Sequence, residues 1–322
     1  MSTRIFFCGE VVADLIEKQQ GSGDFKLTLG GSQYNATVGA SRATKRDNLD
    51  IQIGFVGPLS NDMFGDRFMK VLQDLGTDTS GIKRVDRNIT LAIISIRPGM
   101  ENAFSFYGRD TAEQMTKIDD LPASLGSDKD NNICFFGSIS TVLEPARFAW
   151  IDFATRQRSK SLMLYDLNTR PSIARDPERY RSLVLEWASL AHIMKASDAD
   201  IGWAYPGMSM KEIADIWLDR GASMAVFTKG KDGSEAYTRK TSASAETTDL
   251  IAPNTVGAGD NFNAGLALEL AKKKCFIPDD IEQLSEVDLT MILQGANSTA
   301  AHHLMGNGAT PRAAETLQKK TA

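Results

Sequence analysis

The stretch that decides the fold of this chain reads Thr255-Val256-Gly257-Ala258-Gly259-Asp260 and runs into an apolar series between Phe262 and Leu270. Its spacing predicts a glycine-bearing loop that opens a helix, with a carboxylate in the first turn. Glycine lets the backbone approach a ligand closely, and a helix N-terminus adds partial positive charge. The loop is therefore a candidate anion site, with Asp260 beside it as a candidate base.

Two interpretations fit this loop. Phosphoryl transfer needs such a pairing, because the charge on the transferred group must be stabilised while a carboxylate orients or deprotonates the attacking hydroxyl. The alternative is an ordinary helix start, since acidic residues are favoured in the first turn. The spacing alone leaves both interpretations open.

Composition narrows the class of protein. The 322 residues are 42% hydrophobic and 24% charged, which is ordinary for a globular protein with a substantial core. The net charge of -5 argues against a broad nucleic-acid footprint, so small metabolites are the expected partners. Cys8, Cys134 and Cys275 form neither a disulfide framework nor a CxxC metal site, which fits a reducing cytoplasm. The run Ile5–Cys8 is too short for a signal sequence or a membrane span, so no membrane partner is expected.

Short β-rich runs alternate with amphipathic segments along most of the chain. The predicted strands lie at 5–7, 51–56, 91–96, 133–136, 162–165, 191–194 and 224–227, and the predicted helices at about 33–43, 64–75, 145–156, 177–190 and 211–220. This alternation predicts an α/β fold, a three-layer α/β/α arrangement with a mostly parallel central sheet. In such a fold, ligands gather beyond the carboxyl ends of the strands.

Two stretches break the alternation and predict a small β-sheet lid laid across the site. We expect a single domain over residues 1–322, with the lid formed by about 11–30 and 88–110 and inserted in the α/β core. The imperfect alternation of Phe104, Phe106 and Tyr107 makes this lid a candidate homodimer surface.

Further candidate residues lie near the expected site. Asp14 follows the first strand, where a carboxylate can accept hydrogen bonds from two sugar hydroxyls or can simply be solvated. Gly30-Gly31-Ser32 leads into a helix that carries Asn35, whose amide both donates and accepts. Thr228–Gly233 predicts a turn into a hairpin that could meet phosphate. The chain has neither a GxxxxGK[ST] run nor a GxGxxG after its first strand, which disfavours a P-loop or dinucleotide-binding fold.

Several motifs occur together: Cys8-Gly9-Glu10 leading to Asp14, Gly30-Gly31 with Asn35, Val56-Gly57-Pro58 through Gly65, and Asn254 to Asp260. In combination they resemble the ribokinase or PfkB-type carbohydrate kinases over nearly the whole chain. The middle of the chain, with Phe136–Ser140 and Asp166–Pro171, is similar to the fructokinase branch and to 2-keto-3-deoxygluconate kinases.

The resemblance implies a ribokinase-like fold and a set of roles. Asp260 would be the base that acts on a primary hydroxyl of the sugar, and the amides of Gly257, Ala258 and Gly259 would form the anion hole. The substrate would be held by residues of the first strand, the Gly-Gly turn, the lid and a core-strand end: Asp14, Gly30, Gly31, Asn35, Arg109 and Arg170.

The resemblance also implies ATP and Mg2+. On the ATP side the matching positions are Ser197, Thr228, Gly230, Gly233 and Asn297. Magnesium would be organised through water by Asp200, where relatives usually carry a longer Glu. Asn254 stands where the signature normally has an Asp that helps form a monovalent-cation site, which leaves activation by K+ open.

Three function hypotheses remain. The leading one is an ATP-dependent kinase for a ketose such as fructose. The second is a kinase for an acidic sugar such as 2-keto-3-deoxygluconate, with Arg109 and Arg170 pairing with a carboxylate. The third is a catalytically inactive sugar or nucleotide sensor that keeps the fold, against which the retention of Asp260 argues.

Overall fold

A computed structural model describes residues 2–95, 103–126, 130–248, 250–252, 255–307 and 310–311. Within these residues the strands are, in chain order, β1 (Thr3–Cys8), β2 (Val12–Glu17), β3 (Phe25–Gly30), β4 (Gln52–Ser60), β5 (Asp78–Val85), β6 (Thr90–Ser95), β7 (Ala103–Tyr107), β8 (Asn131–Gly137), β9 (Ser161–Asp166), β10 (Ile193–Ser197), β11 (Met224–Thr228), β12 (Ser234–Tyr237), β13 (Ser242–Ala245), β14 (Leu250–Ile251) and β15 (Thr310–Pro311). The helices are α1 (Ser32–Arg46), α2 (Met63–Asp74), α3 (Ala146–Gln157), α4 (Pro171–Ala174), α5 (Pro177–Leu190), α6 (Asp198–Ala204), α7 (Met210–Arg220), α8 (Ala258–Lys272), α9 (Pro278–Glu282) and α10 (Glu286–Gly306). None of the helices in this part of the chain is long and apolar enough to cross a membrane.

The large sheet has the strand order β13-β12-β11-β10-β9-β8-β1-β4-β5. All neighbours from β11 to β5 run parallel, and β12 and β13 join antiparallel at one edge. The predicted α/β class with a mostly parallel sheet is confirmed. Strand β5 was not predicted, and the strand predicted at 91–96 lies in a second, smaller sheet.

Helices cover both faces of the large sheet, so its central strands are buried along nearly their whole length and are mostly apolar. On one face α3, α5 and α7 bury Trp150, Trp187 and Trp217. On the other face α1, α8 and α10 pack a layer of small and branched side chains. The carboxyl ends of the parallel strands therefore meet at one edge, where ligands bind in folds of this kind.

The small sheet has the order β3-β2-β6-β7 and combines the two stretches that break the alternation. Strand β2 pairs antiparallel with β3 and parallel with β6, and β6 pairs antiparallel with β7. Leu27, Leu29 and Leu91 pack toward α2, whereas Val12, Asp14 and Ile94 line a cavity. One part of the small sheet is thus anchored to the core and another contributes to the candidate site.

Close packing fixes the position of α8. A Cβ on Gly265 would lie 2.7 Å from the Cα of Ala296 on α10, and a Cβ on Gly39 of α1 would lie 2.2 Å from Asn261 Oδ1. Only glycine allows these approaches. The start of α8 is therefore held between two helices.

Candidate active site

A cavity of about 140 Å3 lies between the carboxyl edge of the large sheet, the start of α8 and the small sheet. Its lining comes from seven separate segments of the chain: Glu10, Val12, Asp14, Gly31, Ser32, Asn35, Ile94, Phe106, Ser138, Ile139, Arg170, Val256, Gly257 and Asp260. Six of the residues predicted from the sequence are among them: Asp14, Gly31, Asn35, Arg170, Gly257 and Asp260. The fold brings these residues together although they are spread over most of the chain.

Asp260 is held by two side chains from the start of α1. Ser32 Oγ donates to Asp260 Oδ1 at 2.8 Å, and Asn35 Nδ2 donates to Asp260 Oδ2 at 2.9 Å. Each carboxylate oxygen therefore keeps lone pairs for another donor while its orientation is fixed. Ser32 had no role in the sequence prediction, because nothing local links it to a residue 228 positions away.

The loop before α8 has the backbone that its glycines predict. Gly257 is the N-cap of α8 with φ +83, and a Cβ there would lie 2.8 Å from His303 Nε2. The Ala258 N–H donates to the Thr255 carbonyl oxygen at 3.1 Å and closes the turn. His303 Nε2 lies 3.0 Å from the Val256 carbonyl oxygen, so α10 supports the loop from behind. No local pattern in the chain predicts this contact.

Asp14 faces the cavity, and its surroundings shift the pKa of its carboxyl. Burial and the negative charge of Asp260 raise its pKa to about 7, against the opposing effect of the Arg170 guanidinium. A Cβ on Gly30 would lie 2.1 Å from Asp14 Oδ2, so Gly30 leaves room for this carboxyl. Gly31 has φ +102, and its Cβ would lie 2.8 Å from the Glu10 carbonyl oxygen. The two glycines thus shape the wall around Asp14.

The two predicted arginines differ in position. Arg170 lines the cavity, and its Nη1 donates to Asn168 Oδ1 at 2.6 Å and to the Thr169 carbonyl oxygen at 3.1 Å. Arg109 is exposed, and it is not among the described residues that line this cavity. A contact of Arg109 with substrate stays a prediction.

Glu10 is a site residue that the sequence reasoning quoted but did not assign. It lines the cavity, yet only 1% of its surface is exposed. Burial raises the pKa of its carboxyl, while hydrogen bonds from Ser138 and Ser140 act in the opposite direction. Ser138 adopts φ +63, a conformation that is rare for a residue with a Cβ and is found most often at functional sites.

The residues predicted for ATP lie further along the same sheet edge. Ser197 and Thr228 end neighbouring parallel strands and are register partners. Gly230 and Gly233 have φ +55 and φ +86 and form the turn into β12. Asn297 is buried, accepts from Ser234 Oγ and donates to the Ala245 and Glu246 carbonyl oxygens, each at 3.2 Å. The side chain of Asn297 therefore joins α10 to the loop after β13.

The acidic residue predicted for magnesium has both oxygens engaged. Asp200 Oδ1 accepts from Thr169 N at 2.6 Å, and Oδ2 accepts from the N and Oγ of Ser197, each at 2.7 Å. These contacts form the capping box at the start of α6. The described residues contain no group of three or more His, Cys, Asp or Glu that could hold a metal ion. Asn254, predicted for a monovalent cation, lies outside the described residues.

A model of the pfkB family carbohydrate kinases matches residues 2–313, which is nearly the whole chain. The chain belongs to this family. This PfkB-family chain is therefore a phosphotransferase, and the recognition of the family from its motifs is confirmed.

Relatives of this PfkB-family chain include kinases with different substrates. A fructokinase from Rhizobium leguminosarum bv. trifolii is 27% identical over 284 residues, covering 88% of this chain and 84% of the relative. An aminoimidazole riboside kinase from Salmonella typhimurium is 27% identical over 310 residues, covering 95% of this chain and 90% of the relative. A fructokinase structure with bound ATP from Xylella fastidiosa matches with a TM-score of 0.82 and 21% identity over 94% of this chain and 92% of its own. This last likeness shows the ribokinase-like fold.

Proposed function

We propose that the protein is an ATP-dependent sugar kinase that transfers the γ-phosphate of ATP to a primary hydroxyl of a ketose, with fructose as the leading substrate. One observation carries the proposal. Asp260 sits in the cavity at the start of α8, with its two oxygens oriented by Ser32 and Asn35. A carboxylate fixed next to a helix N-terminus places a base beside an anion site.

The chemistry follows from this arrangement. The hydroxyl proton of the sugar passes to the Asp260 carboxylate as the hydroxyl oxygen forms a bond to the γ-phosphorus. The bond from that phosphorus to the bridging oxygen breaks, and ADP leaves with the electron pair. Charge on the transferred group is stabilised by the backbone at Gly257 and Gly259 and by the partial positive charge of α8.

The charges on the cavity wall favour a neutral sugar over an acidic one. The wall carries three carboxyl groups, of Glu10, Asp14 and Asp260, and one guanidinium, that of Arg170. Arg170 is already hydrogen-bonded to Asn168 and Thr169. Carboxyl groups accept hydrogen bonds from sugar hydroxyls, and their ionised forms repel a substrate carboxylate. The raised pKa values of Glu10 and Asp14 reduce this repulsion without removing it, so a 2-keto-3-deoxygluconate kinase is the second candidate.

The size of the cavity also bears on the substrate. At about 140 Å3 it is smaller than the pockets of about 300–1,000 Å3 that hold drug-sized ligands. This volume is compatible with a monosaccharide. Closure of the small sheet over the sugar would exclude water and suppress ATP hydrolysis without sugar.

ATP and magnesium fit the residues present. Gly230 leaves open space where a side chain would stand, since among the described residues no atom beyond its chain neighbours lies within 4 Å of a Cβ built there. A phosphate or ribose can therefore approach the backbone between Thr228 and Gly233. Asp200 Oδ1 accepts one hydrogen bond, from Thr169 N, and a carboxylate oxygen keeps a further lone pair that can accept from metal-bound water. When bound, Mg2+ would neutralise charge on the ATP phosphates.

The test is ADP formation from ATP with a panel of fructose, ribose, glucose, 2-keto-3-deoxygluconate and aminoimidazole riboside, with and without potassium. Phosphorus NMR of the product identifies the hydroxyl that is phosphorylated. We expect the highest kcat/KM with fructose and product only at a primary hydroxyl. Preference for the acidic sugar would favour the second candidate. Binding of sugar and ATP without turnover on any sugar would favour a sensor.

A further inference from the structure

A buried cluster of one lysine, one aspartate and one asparagine lies beneath the first turn of α8. Lys195 Nζ donates to Asp166 Oδ2 at 3.1 Å, and Asn263 Nδ2 donates to the same oxygen at 2.7 Å. The side chains of Lys195 and Asp166 are 4% and 1% exposed, and Asn263 is buried as well. None of the three lines the sugar cavity described above.

The ion pair has a defined orientation relative to the glycine loop. Lys195 Nζ lies 3.9 Å from the point where a Cβ on Gly259 would stand. Among the described residues outside the loop and the backbone of its helix, no other atom lies within 4 Å of that point. The cation therefore faces the loop, and the Asp166 carboxylate lies farther away.

This placement is unfavourable for the fold alone. A helix N-terminus carries partial positive charge, so a nearby cation is unfavourable there, and Asp260 in the first turn of α8 offsets only part of this effect. A buried ion pair also contributes little net stability compared with apolar side chains of similar size. Two sources of positive potential, the α8 terminus and Lys195, are thus concentrated at Gly259. An anion bound at the loop would remove this repulsion.

We propose that Lys195 stabilises the charge on the phosphoryl group during its transfer, from behind Gly259, and that Asp166 and Asn263 are positioning residues that hold it there. This inference rests on the proposed kinase function. Lys195 uses one of its N–H donors on Asp166 Oδ2, an oxygen that also accepts from Asn263, so the lysine keeps further N–H donors. The hydrogen bond from Asn263 thereby limits the pull of the carboxylate on the ammonium group.

The test compares three variants with the wild type. Lys195→Met removes the cation but leaves Asp166 as an unpaired buried charge, which can prevent folding. The double variant Lys195→Met with Asp166→Asn removes both charges and keeps the hydrogen bond to Asn263 possible. Lys273→Met is the control, because it breaks an ion pair of 2.6 Å with Asp288 at the opposite end of α8. Thermal melting reports folding, and calorimetry measures affinity for ADP and for a non-hydrolysable ATP analogue.

For the folded double variant we expect a loss of about 100-fold in kcat, the scale of removing one stabilising group from an oxyanion site. We expect the affinity for the ATP analogue to fall about tenfold with ADP affinity nearly unchanged, since only ATP carries the group that Lys195 faces. The KM of the double variant for the sugar should stay close to the wild-type value. The Lys273→Met variant should stay close to wild type in kcat and in nucleotide affinity. A double variant with wild-type kcat and wild-type preference for the analogue over ADP would overturn the proposal. Because the binding comparison needs no sugar, it tests Lys195 even if no sugar in the panel is phosphorylated.

Discussion

Asp14→Asn tests whether the acidic cavity wall controls sugar binding. The pKa of Asp14 is about 7, raised by burial and by the charge of Asp260. Roughly 10% of these carboxyl groups are then ionised at pH 6 and roughly 90% at pH 8. The ionised form accepts hydrogen bonds from two sugar hydroxyls, so kcat/KM for the sugar should rise about tenfold between these pH values. The Asn variant should lose this rise and have lower kcat/KM at pH 8.

The assay is the pH profile of kcat/KM for the best sugar, which reports ionisations of the free enzyme. Asp152→Asn, a change of an exposed carboxylate on α3, is the matched control and should keep the wild-type profile. A wild-type profile that is flat from pH 6 to pH 8 would refute the reasoning, as would a rise that persists unchanged in Asp14→Asn.

The raised pKa of Asp14 also makes the stability of the folded protein depend on pH. The ordinary pKa of Asp14 is 3.8, so between this value and about 7 the folded state retains a proton that the unfolded state has lost. The contribution of Asp14 to stability therefore decreases as the pH rises through this window. Urea unfolding at several pH values should show that Asp14→Asn removes this decrease. The variant should thus be less active but relatively more stable at pH 8.

Three further predictions concern the surroundings of the site. Ser32→Ala removes one hydrogen bond to the Asp260 carboxylate, so steady-state kinetics should show kcat about tenfold lower with little change in the sugar KM. An unchanged kcat would argue against the orienting role of Ser32. Gly257→Ala strains a backbone at φ +83 and brings a methyl group against His303, so urea unfolding should show a loss of about 1–3 kcal/mol. His192 has a pKa lowered to about 4, mainly by burial, so it stays neutral in the folded state, and stability should fall as the pH drops from about 6.5 toward 4. His192→Gln should flatten that fall in urea titrations at different pH values.

The central sheet could be predicted from the sequence because its parallel strands are buried on both faces. Ser161–Asp166 is buried at every position, and its middle, Leu162–Tyr165, stands out as a continuous apolar run. Strand Asp78–Val85 was missed because it forms the edge of the sheet, is half-exposed and contains polar residues and a glycine. The strand at Thr90–Ser95 was found, and its place in the small sheet was predicted from the lack of a helical pattern between residues 88 and 107 rather than from its own periodicity.

Part of the candidate site could be predicted from the sequence for a related reason. Arg170 follows a strand of the parallel sheet, whose topology brings such positions to one edge. Asp14, within β2, and Gly31, after β3, reach the site from the small sheet instead. The supporting contacts depend on tertiary packing and leave no local pattern. Ser32 meets Asp260 across 228 positions, and Asn263 meets Asp166 across 97. Glycine spacing and family motifs predicted the loop before α8, but not the histidine of α10 behind it.

The most direct test of the central claim is Asp260→Asn, which changes the base but keeps a planar side chain that Ser32 and Asn35 can still contact. If Asp260 is the base at the anion site, ADP formation with the preferred sugar should fall by at least about 1,000-fold, while calorimetry shows sugar and ATP affinities within a few-fold of wild type. A folded Asp260→Asn variant that turns over at a rate near wild type would contradict the account.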